Sequence, residues 1–350
     1  MIELRSDNAA GVAPEILAAI EAANTGSALA YGGDELTAHV QEVVRSVFEH
    51  PTARAFPVTS GTAANSLALS AATPPWGAVL CHETAHIITA EGGATSLLSG
   101  GAVMQAVGGA HALIEPARLR AVLESVRWGD PHESQPSVLS LTLPSDHGTL
   151  YRPDEVAALT AIAREFGLRV HLDGARIANA VAALGCTPAD LTWRAGVDVL
   201  SLGATKNGAL SAEAIVAFDD RIAEELVYRT KRSGHVTSKL RFQSAQVAAY
   251  LTDGLWLRLA SSSNRRMAEL VAELEPLASY GVRLAERVDV NMAFVELPAA
   301  AIDAATDAGV LCYRMSETSV RLVTSWQTTA DDVTRAAATF RDAVAAVATS

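Results

Sequence analysis

The amino-acid sequence predicts an α/β protein, with a mostly parallel sheet in a large domain and a smaller α+β domain at the C-terminal end. Three observations carry this. Short β-branched runs alternate with amphipathic segments of ten or more residues, the pattern of βαβ units. The 350 residues correspond to roughly two domains at about 150 each. Hydrophobic residues at 49% and charged residues at 19% exclude a disordered chain and supply a large core.

The elements follow in order. Residues 1–33 read as an N-terminal arm, and a large domain is expected over 34–255. Ala55-Phe56-Pro57-Val58 is a predicted strand, followed by a small-residue turn and an Ala/Leu-rich helix from about Ala63 to Ala71. Ala78–Cys81 and Ser137–Thr142 read as buried strands. The clearest helix runs from Asp154 to Phe166, with Val156, Leu159, Ile162 and Phe166 on one face. Asp154 is its expected cap after Pro153, and Gly167 stands just past its end. Leu168–Leu172 and Val197–Leu202 are the next strands. A long helix, Leu257–Leu274, leads into the small domain, 256–350. There Val290–Val295 and Val320–Val323 read as strands, and a last helix begins at about Ala330.

Composition narrows the function. With 27 Lys+Arg against 39 Asp+Glu the net charge is −12, which argues against a nucleic-acid binder or a basic membrane-surface protein. Cys81, Cys186 and Cys312 are an odd count without Cys-x-x-Cys spacing, so neither a disulfide framework nor a zinc site is expected, and the cytoplasm is the simplest compartment. No metal is expected elsewhere: His82 and His86 stand four apart, but Glu83 precedes no further matching ligand. Met1–Asn8 lacks a basic start and apolar stretch, and no apolar run reaches the roughly 18 residues of a membrane span.

Three segments can carry chemistry. Thr59-Ser60-Gly61-Thr62-Ala63-Ala64-Asn65 lies between a predicted strand and a helix. Its small residues let backbone N–H groups approach an anion, and the Ser60 and Thr62 hydroxyls can donate directly. It is neither a Gly-x-Gly-x-x-Gly fingerprint nor a Walker loop. Asp173-Gly174-Ala175-Arg176 stands at the carboxyl end of the Leu168–Leu172 strand, where α/β sheets hold ligands. Lys206 follows the next strand in an apolar, small-residue setting, where burial favours the free amine that forms Schiff bases. Taken singly, the three also read as a capped helix start, a strand-terminal aspartate capping the next helix, and a solvated turn lysine. Taken together they are what pyridoxal 5′-phosphate demands: donors for the phosphate, a carboxylate for the ring nitrogen and an amine for the aldehyde.

At these residues the sequence resembles the low-specificity L-threonine aldolases, aspartate-aminotransferase-like enzymes of fold type I. Leu4-Arg5-Ser6-Asp7-Asn8, Tyr31-Gly32-Gly33-Asp34, Ser60–Asn65, His171–Arg176, Lys206 and Val320–Thr324 carry the likeness across nearly the whole chain. Thr73–Gly77 and Gly203–Gly208 look most like the phenylserine aldolase type. The resemblance implies cleavage of L-β-hydroxy-α-amino acids to glycine and an aldehyde. Ser60, Gly61 and Thr62 would hold the phosphate, Asp173 the ring nitrogen and Lys206 the cofactor aldehyde. His86 would stack on the ring. Arg176 would lie near the ring hydroxyl and the substrate, and Ser6 and Arg321 would grip the substrate carboxylate. Tyr31 and Arg241 match positions that a neighbouring subunit lends to the site, which implies a homodimer or homotetramer with shared active sites.

One departure bears on the chemistry. Many relatives carry Asn-x-His-Asn-x-Gly after the strand equivalent to Val138–Thr142, and its histidine is a candidate base for the β-hydroxyl. This sequence reads Leu143-Pro144-Ser145-Asp146-His147-Gly148, which leaves His86, His147 or a water as the base. β-Elimination, racemisation or transamination on the same fold, and cofactor binding without turnover, are the competing readings.

Overall fold

The computed structural model of the protein describes residues 1–348. Its central sheet has seven strands, in spatial order Arg54–Val58, Glu213–Ala217, Val199–Leu202, Arg169–Gly174, Gln135–Thr142, Gly77–His82 and Val103–Val107. Glu213–Ala217 runs antiparallel to both of its neighbours, and every other adjacent pair is parallel. The expected mostly parallel α/β sheet is therefore present. Gly77–His82, Val199–Leu202 and Glu213–Ala217 are buried along their whole length. Helices cover both faces of such a sheet, so its strands read as apolar runs rather than alternating ones. His171 is fully buried, with Nδ1 2.9 Å from Ser140 Oγ and Nε2 3.0 Å from Ser201 Oγ, and burial pushes it down to about 4. It stays neutral and ties three adjacent strands together.

The second unit is an antiparallel sheet of Tyr313–Arg314, Ser319–Val323, Met292–Glu296 and Arg283–Leu284, covered by the helices Ala299–Asp307 and Ala330–Ala348. The helix Leu255–Leu274 belongs to both cores. Leu255, Trp256 and Ala260 pack into the large one, whereas Met267, Leu270 and Leu274 pack into the small one. The N-terminal segment is divided in the same way. Ile2–Glu3 pairs with Val310–Leu311 beside the small core, and the helix Pro14–Ala23 buries Ile16 in the large one. That helix is absent from the sequence reading because its apolar face is short.

Two local expectations are corrected. Asp154 does not cap its helix, which spans Pro153–Glu165 with Arg152 at the cap. Proline fills the first helical position, where no N–H is needed, and Glu155 accepts from the Arg152 N–H at 2.7 Å. The long helix begins at Leu255, two residues earlier than its apolar spacing indicates, after Gly254 in the left-handed region at φ 67°.

Candidate active site

Parallel strands present their carboxyl ends along one edge of the sheet, and there the loops after five strands converge on one cleft. The cleft has two lobes of about 250 Å³ and 180 Å³ that share Asn8, Gly61, Thr62, His86, Asp173, Ala175 and Lys206. Of the residues singled out from sequence, Ser6, Ser60, Gly61, Thr62, His86, Asp173, Arg176, Lys206 and Arg321 all line it. Tyr31 and Arg241 do not.

Ser60 caps the helix Gly61–Ala72, its Oγ accepting from the Ala63 N–H at 3.2 Å. The N–H groups of Gly61 and Thr62, in the first turn, have no helical carbonyl to meet, and they open onto the cleft. A Cβ on Gly61 would meet no protein atom within 4 Å and would take up space in the cleft itself. This cradle suits a dianionic phosphate.

Asp173 is the next-to-last residue of its strand and is almost fully buried. Its Oδ1 accepts from the Ala175 N–H at 2.9 Å and its Oδ2 from Asn65 Nδ2 at 2.8 Å. Asn65 Nδ2 also donates to Glu91 Oε1 at 2.8 Å, and that same oxygen takes His86 Nδ1 at 2.9 Å. A carboxylate can only accept, so the proton sits on His86 Nδ1 and leaves Nε2 unoccupied by this bond. The hydrogen bond to Glu91 raises His86, against burial that lowers it. Asn65 and Glu91 thus connect the expected ring-nitrogen acid to the expected stacking histidine.

Lys206 stands in the short turn Thr205–Asn207, one strand along from Asp173. The two loops close because of glycine: a Cβ on Gly203 would lie 2.2 Å from the Ala175 carbonyl oxygen. Burial pushes the Lys206 ammonium down and Arg176 adds to this, with Asp7, Asp173 and Glu213 opposing. Glu213 begins the antiparallel strand and therefore reaches the same edge. It accepts from the Ala204 N–H at 2.5 Å, and burial pushes it up to about 7.

The Arg176 guanidinium is held by Asp7, with Nε at 2.6 Å and Nη2 at 2.9 Å from its two carboxylate oxygens. Burial acts to raise Asp7, but Arg176, with Lys206 and Asn291, outweighs it and keeps the carboxyl below its usual range. Arg321 projects from Ser319–Val323 beside Ser6, and its buried Nε has no acceptor. Burial and the nearby Arg176 both lower it, so this corner favours an anion. The arrangement can hold a phosphate, a protonated heteroaromatic nitrogen, an aldehyde and an amino-acid carboxylate, and pyridoxal 5′-phosphate with its substrate has these parts.

The two remaining residues lie outside this cleft. Tyr31, at φ 58°, places its ring under Lys231 Nζ, 4.2 Å from the ring centroid, on a separate groove. Arg241 opens the helix Arg241–Leu251, and its buried Nε lacks a partner in a groove that also holds Asp34 and Glu35. His147 is turned away as well, toward Glu286 Oε1 at 3.2 Å and the Phe294 ring at 5.1 Å. Sequence reasoning missed roles for Asp7, Glu91 and Glu213. Each is an acid whose partner is distant in sequence or on another loop, apart from Glu91, whose spacing of five from His86 was the one local signal.

Residues 3–300 match the β-eliminating lyase family, so fold and site define a lyase of that class. The low-specificity L-threonine aldolase of Pseudomonas aeruginosa is 40% identical over 97% of this chain and 96% of its own length. That of a Pseudomonas species is 39% identical over 98% of both. The solved threonine aldolase of Leishmania major superposes with a TM-score of 0.89 at 27% identity, covering 97% of this chain and 98% of that one. The chain belongs to the low-specificity L-threonine aldolase family, with the fold type I architecture.

Proposed function

We propose that the protein cleaves L-β-hydroxy-α-amino acids to glycine and an aldehyde, with pyridoxal 5′-phosphate as its cofactor. The observation that carries this is the meeting of Lys206, the hydrogen-bonded Asp173, the free first-turn N–H groups and the unpartnered Arg321 Nε in one cleft. When bound, the cofactor supplies an electron sink for the pair left on Cα. The chain does the rest. Gly61 and Thr62 take the phosphate, Asp173 keeps a proton on the ring nitrogen, and Lys206 supplies the amine that the substrate's own amine replaces. Arg321 and Ser6 fix the substrate carboxylate and so select which bond at Cα is aligned to break. His86, with its Nδ1 proton directed to Glu91, is held at one ring orientation beside Asp173.

Screening glycine release from L-threonine, L-allo-threonine and both phenylserine diastereomers tests the reading. Release from at least one is expected, and the likeness of residues 73–77 and 203–208 to phenylserine aldolase supports an aryl substrate among them. Pyruvate or ammonia from serine, without glycine from any of the four, would replace it with β-elimination. Three unpaired thiols support a reducing, cytoplasmic setting. No helix among the described residues is long and apolar enough to cross a membrane.

The reading extends to a homodimer or homotetramer in which each site draws on two chains. Arg241 and Tyr31 lie outside this chain's cleft, and the exposed Lys231 and Lys239 flank them in an otherwise acidic protein. Mixing Lys206→Ala chains with Arg241→Ala chains is expected to restore activity after refolding together. One site of each hybrid carries both lesions and the other neither, so a hybrid recovers up to half the wild-type rate. Proven hybrids without recovery, or a monomer by sedimentation, would exclude the shared site.

A further inference from the structure

Five carboxylates stand in or beside the cleft, and four are already committed. Asp7 holds Arg176, Glu91 holds His86 and Asn65, Asp173 holds Asn65 and the Ala175 N–H, and Glu213 holds the Ala204 N–H. Asp146 lines the same lobe as Lys206, Ser6 and Arg321, yet among the described residues its side chain has no hydrogen bond or ion pair. It stands there on a pinned turn. Ser145 N–H donates to the Thr149 carbonyl at 2.9 Å, Gly148 N–H to the Ser145 carbonyl at 2.8 Å, and the Ser145 and Thr149 hydroxyls meet at 2.6 Å. Gly148 has φ 77°, and a Cβ there would press on Met292 at 3.1 Å, so the turn keeps one shape. That shape sends His147 outward to Glu286 and leaves Asp146 facing the cleft.

We propose that Asp146 is the catalytic base that takes the proton from the substrate's β-hydroxyl. The inference rests on the aldol-cleavage reading and names the one group that reading leaves unassigned. A β-hydroxy-α-amino acid brings three polar groups. The cleft has Arg321 and Ser6 for the carboxylate and the Lys206 position for the amine. For the hydroxyl it has one carboxylate, Asp146, with both oxygens uncommitted. The other open acceptors are His86 Nε2, the weakly basic amide oxygen of Asn65, and Glu91 Oε2, whose carboxylate already serves Asn65 and His86. His86 is the weaker candidate, because Glu91 draws it toward its protonated form. In the step, the O–H proton passes to an Asp146 carboxylate oxygen as the carbonyl of the aldehyde forms. The Cα–Cβ bond breaks with its electron pair left on Cα, and Cα then takes one proton to give glycine. The atoms of the substrate divide between the two products, and no oxidant or reductant is needed.

The electrostatics fit a base working near neutrality. Burial pushes Asp146 up to about 6, and Asp173 pushes the same way, while His86, Arg176 and Lys206 pull it down. Arg321 and the neutral thiol of Cys81 also face it. The ionised form is the active one, so kcat/KM rises with pH through about 6 in the free enzyme.

The test compares holoenzyme and Asp146→Asn in two reactions. Cleavage of the best β-hydroxy amino acid needs the base; exchange of the glycine Cα proton in D2O does not. Cleavage is expected to fall at least about a hundredfold, the ratio of cleavage to exchange to fall at least about thirtyfold, and the acid limb near 6 to vanish. Asp146→Glu is expected to recover at least about tenfold over the asparagine variant, since it returns a carboxylate. Cleavage and exchange falling in parallel, or an unmoved acid limb, overturns the proposal. If neither variant folds, NMR of wild-type protein with labelled aspartate carboxyls decides. Burial also raises Asp198, which lies outside the cleft, so a second raised aspartate carboxyl whose titration moves on cofactor loading supports it, and finding none such besides Asp198 overturns it. A wild type that releases no glycine from any substrate fails the functional reading instead.

Discussion

Lys206→Ala protein loaded with pyridoxal 5′-phosphate is expected to lose glycine release by at least about a thousandfold, or about 4 kcal/mol of barrier. Borohydride treatment should leave no cofactor covalently bound to it, whereas in wild type the reduced cofactor should map to the Lys206 peptide. The chain has only two other lysines, Lys231 and Lys239. Both are exposed, Lys231 over the Tyr31 ring, and neither lines the cleft. Lys206 is different because burial and Arg176 disfavour its charge, which leaves more free amine to attack an aldehyde. Peptide mapping that finds reduced cofactor on Lys231 or Lys239 in the wild type would remove Lys206 from this role. Exogenous amine offers a second check: small primary amines that restore part of the lost rate would show that the deleted group acted as an amine.

How much of this was legible in the sequence depends on how far apart the interacting residues are. The phosphate loop, Asp173 and Lys206 could be read because each follows directly on a strand, and small residues mark the turn that a ligand needs. The strand before Lys206 is buried throughout and that of Asp173 all but its first residue, so both read as apolar runs. The groups that hold those residues in place were not legible. Asp7 meets Arg176 from 169 residues away in the N-terminal arm, and Asn65 meets Asp173 across three strands. Glu213 arrives at the carboxyl edge only because its strand runs the opposite way, a fact of topology that no local pattern encodes. The turn at 143–148 is the instructive case. Its departure from the Asn-x-His-Asn-x-Gly pattern was visible, but which of two adjacent residues faces the cleft was not. The Ser145–Thr149 hydrogen bonds decide it, and they exclude His147 in favour of Asp146.

Asp173→Asn is expected to keep cofactor affinity within roughly tenfold of wild type while lowering turnover by about three orders of magnitude or more, about 4 kcal/mol. Affinity persists because the phosphate cradle at Gly61 and Thr62 and the attachment at Lys206 are separate from this side chain. Turnover falls because an amide cannot keep the ring nitrogen protonated, and the pair left on Cα then has no adequate sink. The hydrogen-bond network adds a second cost. Both Asp173 oxygens accept, one from the Ala175 N–H and one from Asn65 Nδ2. An asparagine offers one oxygen and one NH2, so one of those donors must face another donor. Asn65 cannot relieve this by flipping, since its carbonyl would then point at Glu91 Oε1, which is already its acceptor and that of His86. Asn65→Asp would meet the same clash, with a carboxylate against Glu91 Oε1, so the conflict predicts that Asp173→Asn loses thermal stability as well as turnover. Thermal unfolding and glycine release measured on Asp173→Asn separate the two effects. Near-normal turnover in Asp173→Asn would show that another group faces the nitrogen, and equal losses of affinity and turnover would show that Asp173 serves mainly to build the pocket.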